Sequence, residues 1–283
     1  MTPSAEPQRP APREPAPAPP GAGAGPVWAA PLPGPGRGRR RRDPGPASFA
    51  FADLVAPEDD DLVAAGGDLD PATLLEAYRC GLFPMGLGGG GRGPVGWWSP
   101  DPRGVLVPED VHVSRSLRRA VRRFEVRVDT AFDEVVAGCA DPARPGAWIT
   151  AEVARAYARL HRLGWAHSVE VWCGGELAGG LYGLSIGGLF AAESKFHRVT
   201  GASKAAVVAL AQLVTADGVR GRLVDVQWRT EHLATLGVRE VPRAAYLRSL
   251  RAALALPGPP VFEPATSPSG VARPERRTDY DGG

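Results

Sequence analysis

In the stretch Leu223-Val224-Asp225-Val226-Gln227, Asp225 and Gln227 stand two apart among apolar neighbours. In a strand that spacing turns both polar side chains to one face. Such a face either closes its polar groups in hydrogen bonds at a sheet end or meets a cavity. Glu193, following the apolar run Leu189–Ala192, is a second carboxylate in apolar sequence. Two buried carboxylates with no cation beside them are costly, so the pattern favours a site for a cationic or amine-bearing ligand. Arg115, Arg118, Arg119, Arg122 and Arg123 offer different chemistry. They fall at i, i+3, i+4, i+7 and i+8, which gathers five guanidiniums on one helix face, and no acidic residue lies between them. Phosphate binding needs several cations at fixed spacing, so a nucleic-acid surface is favoured over a merely solvated one. The Arg37–Arg42 run is a weaker signal, because basic tracts in proline-rich segments often serve only as solvated linkers.

Other chemistries find little support. The five histidines form no H-E-x-x-H, and His161 and His167 straddle a helix end, so no metal site is expected. There is no G-x-S-x-G elbow, no G-x-G-x-x-G after a strand and no Walker A sequence. Cys80, Cys139 and Cys173 are odd in number and far apart, which argues against a disulfide framework and fits a reducing cytosol. No apolar signal region and no membrane-spanning run is present.

The elements that must position these residues are well punctuated. Residues 1–47 hold fourteen prolines and almost no large apolar side chains, and residues 257–283 resemble them; both read as disordered tails. Between them, Asp70 suits a helix N-cap, Pro71 the first turn and Gly81 the position past the end. The glycine-rich stretch Gly86–Gly96 reads as a flexible loop, and Val105–Val107 as a short strand. Ser114 caps the arginine-bearing helix, and Thr150 caps another that runs to Leu163 with Val153, Tyr157 and Leu160 inward. Strand signals follow, with turns at Gly174-Gly175 and Gly187-Gly188. Ala202–Ala216 reads as a helix, Arg222–Gln227 as a strand, and Arg243–Leu256 as a last helix. The pattern is an α+β fold with a mostly antiparallel sheet, divided into a small N-terminal domain (48–110) and a larger C-terminal one (111–256).

The ordered strings GGDLDPATLLEAYRCGLFP from Gly66, WWSPDPR from Trp97, HVSRS from His112, AWIT from Ala147, AHSVEVW from Ala166, GGLYG from Gly179, LFAAESKF from Leu189, ASK from Ala202 and LVDVQ followed by HLATLG span almost all of 48–256. In this order the chain resembles the bacterial leucyl/phenylalanyl-tRNA protein transferases. The resemblance implies an acetyltransferase-like (GNAT-like) C-terminal domain behind a family-specific N-terminal one. It implies a cytoplasmic enzyme that transfers Leu, Phe or Met from aminoacyl-tRNA to proteins beginning with Arg or Lys, marking them for degradation, with no metal or other cofactor.

By the same resemblance Asp225, Gln227 and Glu193 form the reaction centre. Trp98 and Trp148 hold the terminal adenosine and the ester, while Tyr157 and Ser203 also contact substrate. Leu181, Phe190, Val207, Leu210, Val214 and Val224 line a pocket for the transferred side chain, and the Arg115–Arg123 face grips tRNA phosphates. Lys195 and Met85 depart from the family's usual residues. A loose likeness of Arg198–Ser203 to the pyrophosphate loop of acetyl-CoA enzymes supplies a rival reading, but its last small residue is missing. An RNA-binding protein without catalysis is the other rival, resting on the arginine face alone.

Overall fold

The computed structural model describes residues 27–52, 54 and 60–265. The tail residues 1–26 and 266–283 lie outside these. In chain order the elements are β1 (Leu62–Ala65), α1 (Pro71–Arg79), β2 (Phe83–Gly86), β3 (Val95–Trp98), β4 (Arg103–Leu106), α2 (Arg115–Val121), β5 (Glu125–Val128), α3 (Phe132–Cys139) and α4 (Ala151–Arg162). They continue with β6 (Ala166–Cys173), β7 (Glu176–Ile186), β8 (Leu189–His197), α5 (Ala202–Val214), β9 (Leu223–Gln227), α6 (Glu231–Ala234), β10 (Arg239–Val241) and α7 (Arg243–Leu254).

Two sheets result. β1, β3 and β2 form a small antiparallel sheet, and the second runs β10-β4-β9-β8-β7-β6-β5. Every neighbouring pair in the larger sheet is antiparallel except β8 and β9. Parallel neighbours need a crossover, and α5 supplies it. β4 belongs to the larger sheet, so the two sheets divide just before Arg103 and not at residue 110.

Apolar residues alternate between the faces of the larger sheet and build two cores. One holds Leu74, Leu75 and Tyr78 of α1, Val135 of α3, Tyr157 and Leu160 of α4, and Tyr246 and Leu250 of α7. The other holds Leu117 and Val121 of α2 and nearly all of α5. The arginine-bearing helix and α4 therefore lie on opposite layers. Ser114 and Thr150 cap α2 and α4 through the amides of Leu117 and Val153, at 3.2 and 3.3 Å. Asp70 precedes α1 without making a side-chain cap; its carboxylate instead takes a hydrogen bond from Arg159 at 2.8 Å.

Two regions depart from the composition-based expectation. The glycine-rich stretch between β2 and β3 joins paired strands, Met85 opposite Gly96 and Gly86 opposite Val95, so it is an ordered hairpin. Residues 27–47, expected as disordered, are docked. The Trp28 indole donates to Gln212 at 2.6 Å, and Gly36 and Arg37 donate to the carbonyls of Pro260 and Val261 at 2.9 and 3.2 Å. On the far side of the chain, Val261 and Phe262 are buried in turn, so part of the expected C-terminal tail is ordered too. Sparse apolar residues in a proline-rich segment suffice here because the folded domain, not the segment, provides the complementary surface.

Candidate active site

The sheet opens where its parallel strands part. β8 and β9 pair through Leu189 with Leu223, Phe190 with Val224 and Ala191 with Asp225, and then separate. Irregularities flank this fork on both sides. On β8, Gly183 pairs with Ala192 and Tyr182 with Ser194, so Glu193 is the extra residue of a bulge. On β9, Gly104 pairs with Gln227 and Val105 with Asp225, which leaves Val226 unmatched. Bulges re-aim side chains out of regular alternation. Gln227 closes β9 at φ +60°, and the Trp228 amide donates back to the Val226 carbonyl at 2.8 Å across it. A left-handed non-glycine residue stores strain that the surroundings must hold.

Asp225 is fully buried and does have a cationic neighbour, contrary to the expectation drawn from sequence. Arg103, also fully buried, donates through Nε at 2.9 Å and through Nη2 at 2.7 Å, one bond to each carboxylate oxygen. The Tyr246 hydroxyl adds a bond of 2.8 Å, and the Gln227 backbone amide another of 2.9 Å. Arg103 sits between the rings of Phe83 and Tyr246, 5.0 and 4.4 Å from their centroids. Burial draws its pKa down, but Asp225 and the buried tyrosines outweigh that and hold it above its ordinary value. Such a forked pair is strong and geometrically specific. The Asp225 carboxylate therefore meets the backbone of Gln227 and not its side chain. The Gln227 amide nitrogen, in the orientation its neighbours require, donates to the carbonyls of Val226 and Ala192 at 3.0 Å. That bond to Ala192 ties β9 to β8 at the fork and leaves the amide oxygen as an acceptor.

Glu193 stands two residues past Ala191, the last residue of β8 paired with β9. The Tyr157 hydroxyl of α4 donates to its Oε2 at 2.8 Å, and the Tyr78 hydroxyl of α1 is in short contact with that of Tyr157. The second carboxylate oxygen, Oε1, is buried with no partner. Burial pushes the Glu193 pKa up to about 7; hydrogen bonds from the tyrosines oppose this, and the nearby Asp225 charge adds to it. A carboxyl poised near neutrality can take or give a proton under ordinary conditions.

The remaining predicted residues distribute as follows. Trp98 is half-buried, and its indole donates to the Met85 carbonyl at 3.0 Å. Trp148 is also half-buried and lies against the glycine-rich hairpin, where a Cβ on Gly91 would stand 1.8 Å from its carbonyl oxygen. Leu181, Phe190, Val207, Leu210, Val214 and Val224 come together, all within the α5 core and all buried. Ser203 lies in the first turn of α5, 3.5 Å from His197 Nδ1. Arg115, Arg119, Arg122 and Arg123 are exposed and Arg118 half-buried. α2 ends at Val121, and Arg123 donates to the Thr200 carbonyl at 2.7 Å. Tyr78, Arg103 and Tyr246 complete the site and were not singled out from sequence. Only the buried arginine demanded by a buried Asp225 could have signalled the second of them.

Antiparallel strands with one parallel pair, crossed by a helix and opened into a polar fork, define an α+β protein. Family models then resolve the class further: the Leucyl/phenylalanyl-tRNA protein transferase model matches residues 105–251, and that of the family's N-terminal domain matches residues 67–101. The chain is 50% identical over 213 residues to a leucyl/phenylalanyl-tRNA–protein transferase of Anaeromyxobacter dehalogenans strain 2CP-C, covering 74% of this chain and 89% of the relative. A protein of the same name from Escherichia coli O7:K1 strain IAI39 is 48% identical over 195 residues, 68% of this chain and 81% of the relative. Among solved structures, a GCN5-related N-acetyltransferase from Kribbella flavida is similar over 60% of each chain, at 13% identity and a TM-score of 0.32. The chain belongs to the leucyl/phenylalanyl-tRNA protein transferase family and is an aminoacyltransferase. Among the described residues no helix is long and apolar enough to cross a membrane, and no cluster of metal-ligating side chains occurs.

Proposed function

We propose that this enzyme transfers Leu, Phe or Met from its tRNA to the α-amine of proteins that begin with Arg or Lys, in the cytoplasm, creating an N-terminal signal for degradation. The observation that carries the reading is the fork itself, where the Gln227 amide oxygen, left as an acceptor, and the Glu193 carboxyl, poised near neutrality, both lie two residues past the last paired residues of β8 and β9. The acceptor's uncharged amine attacks the ester carbonyl, a C–N bond forms, and the bond to the ribose oxygen breaks. The amine gives up one proton, and the departing ribose oxygen takes one. Gln227 orients the amine through its amide oxygen; a neutral amide is far too weak a base to do more. Glu193 receives the amine proton and hands it on to the departing ribose oxygen, which regenerates the carboxylate, with Tyr157 and Tyr78 fixing its orientation. Asp225, held by Arg103 and Tyr246, keeps the Gln227 backbone in its left-handed conformation. Trp98 and Trp148 offer stacking surfaces for the terminal adenosine, and the arginine face of α2 grips phosphates without reading sequence. The six residues packed around α5 select the transferred side chain.

The test mixes radiolabelled Phe-tRNA with peptides that begin with Arg, Lys or Ala. Labelled product from the first two alone supports the reading. Equal acceptance of Ala overturns the acceptor assignment, and tRNA binding without product from any peptide overturns catalysis. Calorimetric binding of acetyl-CoA with no response to charged tRNA would favour the acetyltransferase alternative.

A further inference from the structure

The Arg37–Arg42 run lies outside the residues matched by the family models, yet it is held firmly on the fold. Gly164, just past α4, leaves room for its backbone: a Cβ there would stand 2.7 Å from the Arg39 carbonyl oxygen. The Arg42 amide donates to Leu163 at 2.9 Å, and the Arg42 carbonyl accepts from the Trp165 indole at 2.9 Å. Arg41 is the anchor. It donates to the Ser185 carbonyl at 3.1 Å, pairs with Glu263 at 3.1 Å and lies 4.8 Å above the Trp165 ring. Its neighbours Arg39, Arg40 and Arg42 are exposed. Fixing these three on a frame removes the entropy that a solvated linker would lose on binding a polyanion.

The strap continues an existing stripe. Arg155, Arg159 and Arg162 are exposed on α4 at i, i+4 and i+7, which places them on one outward face. Among the described residues, Arg39, Arg40, Arg42, Arg155 and Arg162 have no carboxylate partner, whereas Arg159 is paired with Asp70. The acid nearest the strap in sequence, Asp43, accepts the Gly45 amide at 2.9 Å. Beyond the end of α4, where the strap meets α1, Arg41, Arg42, Arg79 and Trp165 line a cavity of about 530 Å³ together with Asp43 and Glu76, the latter 3.9 Å from Arg79.

This surface is connected to the chemistry. The same α4 delivers Tyr157 to Glu193 from its inner face, begins just after Trp148 and ends at the strap. Its 12 residues make a rail about 18 Å long at 1.5 Å per residue.

We propose that α4 and the docked strap form a second phosphate-binding surface for the donor RNA. It runs from Trp148 along Arg155 and Arg162 to Arg39, Arg40 and Arg42, on the layer opposite the arginine face of α2. The proposal rests on the reading that aminoacyl-tRNA is the donor. Unpaired, pre-positioned guanidiniums beside an indole suit a polynucleotide, whose phosphates and bases engage both.

The test compares the full chain with R39A/R40A/R42A and with R155A/R162A, measuring tRNA affinity by fluorescence anisotropy across a salt series. The strap variant is expected to bind tRNA about tenfold more weakly at about 0.1 M salt, with the slope of log K against log salt reduced by about 2 to 3, at about 0.7–0.9 for each phosphate no longer neutralised. A 3′-aminoacyl-adenosine donor, too short to reach the strap, is expected to keep its KM while the KM for full-length aminoacyl-tRNA rises. Unchanged affinity and slope would overturn the proposal. So would a parallel rise in KM for the short donor, which would make the strap a structural brace. Loss of binding to vesicles of anionic lipid, with tRNA affinity intact, would overturn it as well and assign the surface to a membrane. Were the unaltered enzyme to yield no product from either donor, the transfer reading would fall, while the anisotropy comparison would still decide the role of the strap.

Discussion

Replacing Glu193 by Gln removes a titrating proton and almost no volume, so its consequences can be worked through. In the folded protein burial raises the carboxyl from its ordinary 4.5 to about 7. A carboxyl whose pKa is raised on folding favours the native state at low pH, and that advantage is lost as pH climbs through the folded pKa. The unaltered protein should therefore lose up to about 3 kcal/mol between pH 4.5 and 8 through this group alone, at about 1.4 kcal/mol per pKa unit. The substituted amide cannot ionise, and it can keep accepting from Tyr157. Relative to the parent, E193Q should gain stability steadily over that interval, equivalent to about 6–12 °C in Tm by pH 8 for a domain of this size. Urea unfolding of both proteins at pH 5, 6.5 and 8 measures it, and because every other side chain is common to both, the difference curve isolates Glu193. Single-turnover transfer from Phe-tRNA should meanwhile rise in the parent through two groups, Glu193 at about pH 7 and the acceptor's α-amine at about pH 8, whereas E193Q should be slow and keep only the amine's limb. Parallel stability curves would refute the buried, near-neutral carboxyl, and a limb at about pH 7 retained by E193Q would remove it from the proton path.

Other perturbations reach the rest of the site. R103M strands the Asp225 charge in the core and should cost about 3–5 kcal/mol in urea unfolding; a loss below about 1 kcal/mol would mean that Asp225 is not held as an ion. Y157F removes the hydroxyl that favours the ionised form of Glu193, so the pH limb of single-turnover transfer should move upward. G91A asks a residue at φ +73° to place a Cβ 1.8 Å from the Trp148 carbonyl oxygen. The backbone conformation alone costs about 1–2 kcal/mol, and the KM for aminoacyl-tRNA should rise as Trp148 is displaced, with an unchanged KM arguing against Trp148 as a substrate contact.

Local chemistry was legible without tertiary information. Ser114 and Thr150 cap helices because their hydroxyls reach the amides of Leu117 and Val153 within one turn, and Gly174, Gly175 and Gly187 turn strands because left-handed backbone is cheap there. The α+β order, the apolar set around α5 and the family itself also follow from residues and their order. What sequence could not supply was partnership across distance. Arg103 meets Asp225 from 122 positions away, and the need for a buried cation does not say which arginine answers it. Asp70 looks like a cap from its neighbours, but an arginine 89 positions on claims its carboxylate. Glu193 turns toward Tyr157 because a bulge interrupts alternation, which depends on the register of β7 against β8. The strap reads as disorder from its own composition, since ordering entropy cannot be offset within the segment; only the folded domain, with Trp165, Ser185 and the end of α4, brings the groups that hold it.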